Sequence, residues 1–249
     1  RLPPHCARIM TCSRFYQKRL RQQVSADRRG RIGLIRHGLK VPPLPEKGTK
    51  GPRALVVAAG RMVEKKGFAY LVDAVALLKK KGMAPEITIA GSGPLLERLK
   101  QRALLSGAGH ISFPGRCAPQ HLRSLLQRAS LLAVPSVVSF RGDADGIPNI
   151  ILESFAAGVP AAAFRTGGIP EVVIHNRTGL LAEPGSPEAL CSAMETLLKD
   201  RDCRERLSRN AYALVRERYA LHTSVARVRK WYNETAGLRR EFNSCVPGR

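Results

Sequence analysis

With 249 residues, 44% of them apolar and 5% aromatic, the chain can bury one large core or two modest ones. No run approaches the roughly 18 continuous apolar residues of a membrane span, and the opening R-L-P-P-H-C has no apolar signal core. The formal charge of +23 gathers at the ends, where residues 1–50 carry 13 Lys/Arg against 2 Asp/Glu and residues 201–249 carry 12 against 5, a field that favours an anionic membrane, nucleic acid or an acidic partner.

Taken in order, Ser13 opens a basic helix at Arg14–Gln23, and Arg31–Gly38 reads as a short strand. V-P-P-L-P-E-K-G-T-K-G-P is a linker with little to bury, and a domain begins near Arg53. From there strands and helices alternate. Ala54–Ala59 is a nearly continuous apolar run, as a strand covered on both faces requires. Gly67–Lys80 carries a helical apolar face. Glu86–Ala90, His110–Phe113, Leu131–Val134, Val159–Phe164 and Gly179–Ala182 are further strands. Leu95–Leu104, Gln120–Ala129 and Asn149–Ala157 are the helices between them. Pro187, capped by Ser186, opens a helix over Glu188–Lys199, and Asp202–Arg218 and Ser224–Tyr232 follow. The pattern predicts an α/β fold with a doubly wound, mostly parallel, Rossmann-like sheet. Six cysteines (Cys6, Cys12, Cys117, Cys191, Cys203, Cys245) form no C-x-x-C pair and read as unpaired thiols in a reducing compartment.

In such a sheet, ligands bind where loops leave the carboxyl ends of the strands. Gly60-Arg61 to Lys66-Gly67 follows the first strand and enters a helix, so Arg61 and Lys66 can both reach an anion there. The plain alternative is solvated surface. Gly91 and Gly93 in G-S-G-P make a tight turn that also admits a ligand close to the backbone. The turn is neither G-x-G-x-x-G nor a P-loop. Asp143 and Asp145 have no evident third hard ligand, which argues against a metal. Asp145 and Glu153 are suited to accepting hydrogen bonds from hydroxyl groups. Glu153 lies in the apolar stretch I-I-L-E-S-F-A-A, where it either caps a neighbour or faces the cleft. Amides of Gly167 and Gly168 are in reach of a phosphate, with Glu171 beside them as a cap or crevice residue. No nucleophile constellation is present. The histidines are scattered; His37 at the arm-to-domain connection and His175, expected on a crevice-side loop, are the two worth following.

Seven segments occur in order: A-G-R-M-V-E-K-K-G, I-A-G-S-G-P, F-P-G-R, V-P-S, D-G-I-P-N-I-I-L-E-S-F-A-A-G-V-P, T-G-G-I-P-E-V-V and T-G-L-L-A-E-P-G. Over about residues 53–200 this set resembles the nucleotide-sugar-binding half of retaining glycosyltransferases of family 4, which have the two-domain GT-B fold. The resemblance implies that Arg61 and Lys66 hold a donor diphosphate and that Asp145, in place of the usual Glu, contacts the donor sugar. It implies further that Glu153 meets the ribose, Gly146 and Ile147 meet sugar or phosphate through their backbone, and Arg116 borders the base. Gly60, Gly91 and Gly93 complete the donor-binding set. Arg61, Lys66 and Asp145 are the expected catalytic groups, with no metal and no cofactor beyond a nucleoside-diphosphate sugar as donor substrate. T-C-S-R-F-Y-Q-K-R-L and R-H-G-L resemble the end of an acceptor domain and its hinge. The expected organisation is therefore an arm, linker and acceptor-domain remnant at 1–50, a donor domain at 51–220, and a closing helix and tail at 221–249.

The implied activity is transfer of a hexosyl group, with retention, to a hydroxyl acceptor in polysaccharide, lipopolysaccharide or glycolipid biosynthesis. A saccharide or lipid-linked acceptor and a cytoplasmic site, peripheral to an anionic inner membrane face, go with it; specific nucleic acid does not. Two alternatives stand beside this reading. One is a nucleotide-sugar-binding module that is catalytically incomplete without an N-terminal domain. The other is a basic nucleic-acid-binding protein, for which aromatic platforms are lacking.

Overall fold

The computed structural model describes residues 8–44, 54–109 and 111–244. Residues 45–53 of the expected linker, the domain start at Arg53, His5, Cys6, His110 and Cys245 lie outside these. The chain divides into two units, Val41–Arg216 and a second made from Arg1–Lys40 with Glu217–Arg249. The breaks thus fall some residues before 50/51 and 220/221.

The larger unit is built on six parallel strands: β3 (Leu55–Ala59), β4 (Glu86–Ala90), β5 (Ile111–Ser112), β6 (Leu131–Val134), β7 (Ala161–Phe164) and β8 (Gly179–Ala182). Their order is β5-β4-β3-β6-β7-β8, with Val56 opposite both Ile87 and Leu131. Chain direction across the sheet therefore reverses between β3 and β6, and a crevice opens at that switch point. The strands are buried on both faces, which is why they read as apolar runs rather than alternations. Alternate residues (Val56, Ala58, Leu131, Ala133, Ala162, Phe164) join the core shared with α2 (Phe68–Lys80), α3 (Leu96–Leu105) and α6 (Pro187–Lys199). On the opposite side α4 (Pro119–Arg128) packs against β3, and α5 (Asn149–Ala156) against β6 and β7. Phe155 of α5 is fully buried, a contribution of roughly 1.5–3 kcal/mol for a side chain of that size. The expected caps are formed: Ser186 accepts from the amide of Ala189 at 3.0 Å at the start of α6. Helix α7 (Arg201–Arg218) follows it.

The smaller unit pairs β1 (Ile9–Thr11) with β2 (Ile32–Leu34) in parallel, joined by α1 (Arg14–Gln22), whose cap Ser13 accepts from Tyr16 N. Helix α8 (Leu221–Ser244) lies on this pair. The ring of Trp231 covers Gly33 so closely that a Cβ there would stand 2.3 Å from it, and Ser224 Oγ donates to the carbonyl of Arg36 at 2.6 Å.

Several expectations are corrected. Strand β1 was not anticipated; three residues carry too little pattern. Strand β2 is three residues long because Ala26–Arg31 takes up a 3-10 turn before it. Strand β7 begins at Ala161 rather than Val159, since Val159 N and O both bond back to Ser154 and Pro160 has no N–H. Helix α8 runs well past Ser224–Tyr232 into a polar stretch where apolar spacing gives no signal. Cys12, Cys117, Cys191 and Cys203 are free thiols.

Candidate functional site

Three loops at the carboxyl ends of β3, β4 and β5 interlock through their backbones. Gly60 N donates to Ala90 O at 3.0 Å, Met62 N to Ser92 O at 2.8 Å and Gly91 N to Gly115 O at 2.7 Å. Glycine is needed for this approach: a Cβ on Gly91 would stand 1.9 Å from Gly60 O, and one on Gly93 2.5 Å from Met62 O. Above them lies a cavity of about 580 Å³. Gly60, Arg61, Gly91, Gly93 and Arg116 line it, with the arginines exposed. Five of the expected binding residues are thus brought around one space.

Lys66, Asp145, Gly146, Ile147 and Glu153 do not line that cavity. The first two form their own cluster at the switch between β3 and β6. Residues Glu64–Lys66 make a single 3-10 turn that ends at Gly67, whose φ of +61° and contact with Pro135 O exclude a side chain. Three successive residues of this turn grip the β6–α5 loop. Glu64 Oε1 accepts from Phe140 N at 3.0 Å, Lys65 Nζ meets Asp143 Oδ2 at 2.8 Å, and Lys66 Nζ meets Asp145 Oδ2 at 2.8 Å. Lys65 also stands 3.9 Å from Asp145 Oδ1. The same Oδ2 of Asp145 accepts from Ser136 Oγ at 2.8 Å, and Ser136 O in turn accepts from Thr166 Oγ1 at 2.6 Å. Only 11% of the Asp145 side chain and 18% of that of Lys66 remain exposed. The stem of Lys66 passes over Gly60, about 3.4 Å from where a Cβ would be, and so links the cluster to the cavity loops. Two residues expected at separate parts of a ligand are therefore bonded to each other.

Ile147 is buried beneath the loop and Gly146 is half-buried. Glu153, on the second turn of α5, still reaches solvent. The protein around its carboxyl raises its pKa above the usual value by desolvation, with Arg123 drawing it partly back. The amide of Gly168 is used otherwise than expected. The amide of Gly168 donates to Asp145 O at 3.1 Å, and Gly167 at φ +54° lets that carbonyl approach. His175 lies beside Gly179 at the start of β8, the sheet edge opposite the crevice, where its Nδ1 accepts from Leu181 N at 3.0 Å. It holds a turn. Among the described residues no group of three or more His, Cys, Asp or Glu is placed to hold a metal ion. Sequence reasoning passed over Ser136, Thr166, Glu64 and Lys65; the quoted V-P-S and E-K-K were the available signals.

The profile of the family described as glycosyl transferases group 1 matches residues 44–214. A GDP-mannose-dependent alpha-(1-6)-phosphatidylinositol monomannoside mannosyltransferase of Mycobacterium tuberculosis is 37% identical over 154 residues, 61% of this chain and 40% of that protein. The amylovoran biosynthesis glycosyltransferase AmsK of Erwinia amylovora is 32% identical over 141 residues, 56% of this chain and 34% of its own length. The chain thus spans about two fifths or less of these relatives. Among solved structures, HepE of Anabaena in complex with UDP-glucose superposes with a TM-score of 0.80 at 20% identity, over 92% of this chain and 64% of HepE. The crystallised C-terminal domain of the group 1 family protein LpcC from Francisella tularensis gives 0.62 at 20% identity, over 74% of this chain and all of that one. These likenesses establish the fold as a Rossmann-like GT-B half.

Proposed function

Because the chain belongs to the glycosyl transferases group 1 family, we propose that its larger unit is the donor half of a retaining hexosyltransferase that uses a nucleoside-diphosphate sugar. The observation that carries this reading is the Lys66–Asp145 pair at the β3–β6 switch, beside a cavity of nucleotide dimensions that Arg61 lines. In this reading the base and ribose occupy the cavity between Gly91, Gly93 and Arg116, with Glu153 at the ribose. The diphosphate lies against Arg61 and Lys66, and the sugar lies toward Asp145, Gly146 and Ile147.

The chemistry follows from charge. An acceptor hydroxyl oxygen bonds to the anomeric carbon as the bond from that carbon to the phosphate oxygen breaks. The electron pair leaves with the nucleoside diphosphate, and the acceptor proton passes to a leaving phosphate oxygen. Arg61 and Lys66 stabilise the negative charge that grows there, the service a metal performs elsewhere. The acceptor, a saccharide or lipid-linked hydroxyl compound, is bound by a facing domain of the kind the GT-B resemblance implies. The test is release of nucleoside diphosphate from GDP-mannose and UDP-glucose, with and without lipid-linked or oligosaccharide acceptors. It is run on this chain and on a longer chain carrying such a domain. No release from either chain under any combination would refute the activity.

Peripheral membrane binding belongs to the same proposal. On α8 the exposed side chains Leu221, Val225, Val228 and Tyr232 recur at helical spacing, with exposed Arg227, Arg229 and Lys230 between them. An apolar stripe with basic flanks suits an anionic bilayer surface. Among the described residues no helix is long and apolar enough to cross a membrane.

A further inference from the structure

We infer that Lys66 and Asp145 form an exchangeable pair by which the site distinguishes an intact sugar donor from the spent nucleoside diphosphate. The inference deepens the donor reading and rests on it. The ammonium that would meet a diphosphate is satisfied by the carboxylate that would meet a sugar, at 2.8 Å and largely out of water. A diphosphate arriving at Lys66 must separate them. Separation of a partly buried pair is costly because the carboxylate loses a charged donor.

The carboxylate does not follow the lysine. Its Oδ2 keeps the hydrogen bond from Ser136 Oγ, Ser136 is pinned by Thr166 Oγ1, and the Asp145 carbonyl is pinned by the amide of Gly168. Lys65, at 3.9 Å, is already engaged at 2.8 Å with Asp143. The position vacated by Nζ is therefore left for a new donor. A hydroxyl of the transferable sugar supplies one; a bare nucleoside diphosphate does not. The intact donor recovers what the separation costs, and the product does not, so the pair promotes release once the sugar has gone.

The experiment is calorimetric titration of GDP, GDP-mannose, UDP and UDP-glucose into the wild-type chain, Asp145→Asn, Asp145→Glu and Asp143→Asn, with thermal unfolding of each to establish folding. Wild type should prefer one sugar nucleotide over its own diphosphate. Asp145→Asn should bind that diphosphate about tenfold more tightly, the scale on which close charge pairs couple, and lose the preference. Asp145→Glu, which keeps the charge, should restore the preference, whereas Asp143→Asn, which frees Lys65 to reach the Asp145 carboxylate, should weaken it. Unchanged or weaker diphosphate binding in Asp145→Asn overturns the exchange and leaves the donor site standing. Should Asp145→Asn unfold, a wild-type preference absent from the titrations, or an Asp145→Glu chain without one, overturns it equally. Failure of the wild type to bind any of the four compounds overturns the donor reading and the exchange together.

Discussion

A Cβ on Gly167 would stand 2.0 Å from the carbonyl oxygen of Asp145, and Gly167 itself sits at φ +54°. The loop after β7 thus holds the backbone of the acid from beneath, without contributing a charge. Gly167→Ala must either strain this turn or push Asp145 away. The expected result is a folded protein, destabilised by about 1–3 kcal/mol, whose sugar-nucleotide affinity falls although no ionisable group has changed. Chemical denaturation and calorimetry on the same sample check both halves.

Lys66→Ala removes the proposed diphosphate contact while Ser136 Oγ still donates to the Asp145 carboxylate. The fold should survive. Nucleoside-diphosphate affinity should drop by about 1.5–3 kcal/mol, the worth of a hydrogen bond to a charged group, which is roughly 10–100-fold. Equal affinity in the variant would show that the phosphate assignment is mistaken.

Glu153 gives a pH signature. Its folded-state pKa is raised by desolvation, so the folded protein binds the extra proton more readily than the unfolded chain. The burden of this carboxylate is therefore full above its raised pKa and disappears as pH falls to the ordinary value near 4.5. Glu153→Gln should raise the thermal midpoint at neutral pH and give no gain at pH 4. If the carboxylate meets a ribose, the same variant should bind nucleoside diphosphates less well, a gain in stability set against a loss of ligand.

On α8, Val225→Asp with Val228→Asp places two acids in the apolar stripe. Co-sedimentation with phosphatidylglycerol-containing vesicles should be lost, while neutral phosphatidylcholine vesicles should recover little of either protein. Near-ultraviolet circular dichroism from Trp231, whose ring is docked on Gly33, should be unchanged.

The sheet was legible because each strand is covered on both faces, so sequences such as L-V-V-A-A and L-L-A-V are apolar without interruption. Turn glycines located the loops, and the order of segments located the crevice. Register between distant loops is a different matter. Nothing in E-K-K announces that Lys65 faces Asp143, 78 residues away, or that Lys66 faces Asp145. In sequence the amide of Gly168, in a glycine pair, looks open to an anion; in space it donates to Asp145 O. His175 illustrates a related point, since the length of a loop does not tell which sheet edge it has reached.

The smaller unit joins segments from before and after the larger one, with Trp231 of α8 seated on Gly33 of β2. On a ribosome, which delivers the chain in one direction, β1, α1 and β2 emerge ahead of the larger unit and must wait for their covering helix until all of that unit has been made. The continuous unit can collapse during that interval; the split one cannot. Within this stretch of the nascent chain, chaperone contact should accordingly concentrate on residues 8–40 and end when α8 clears the exit tunnel.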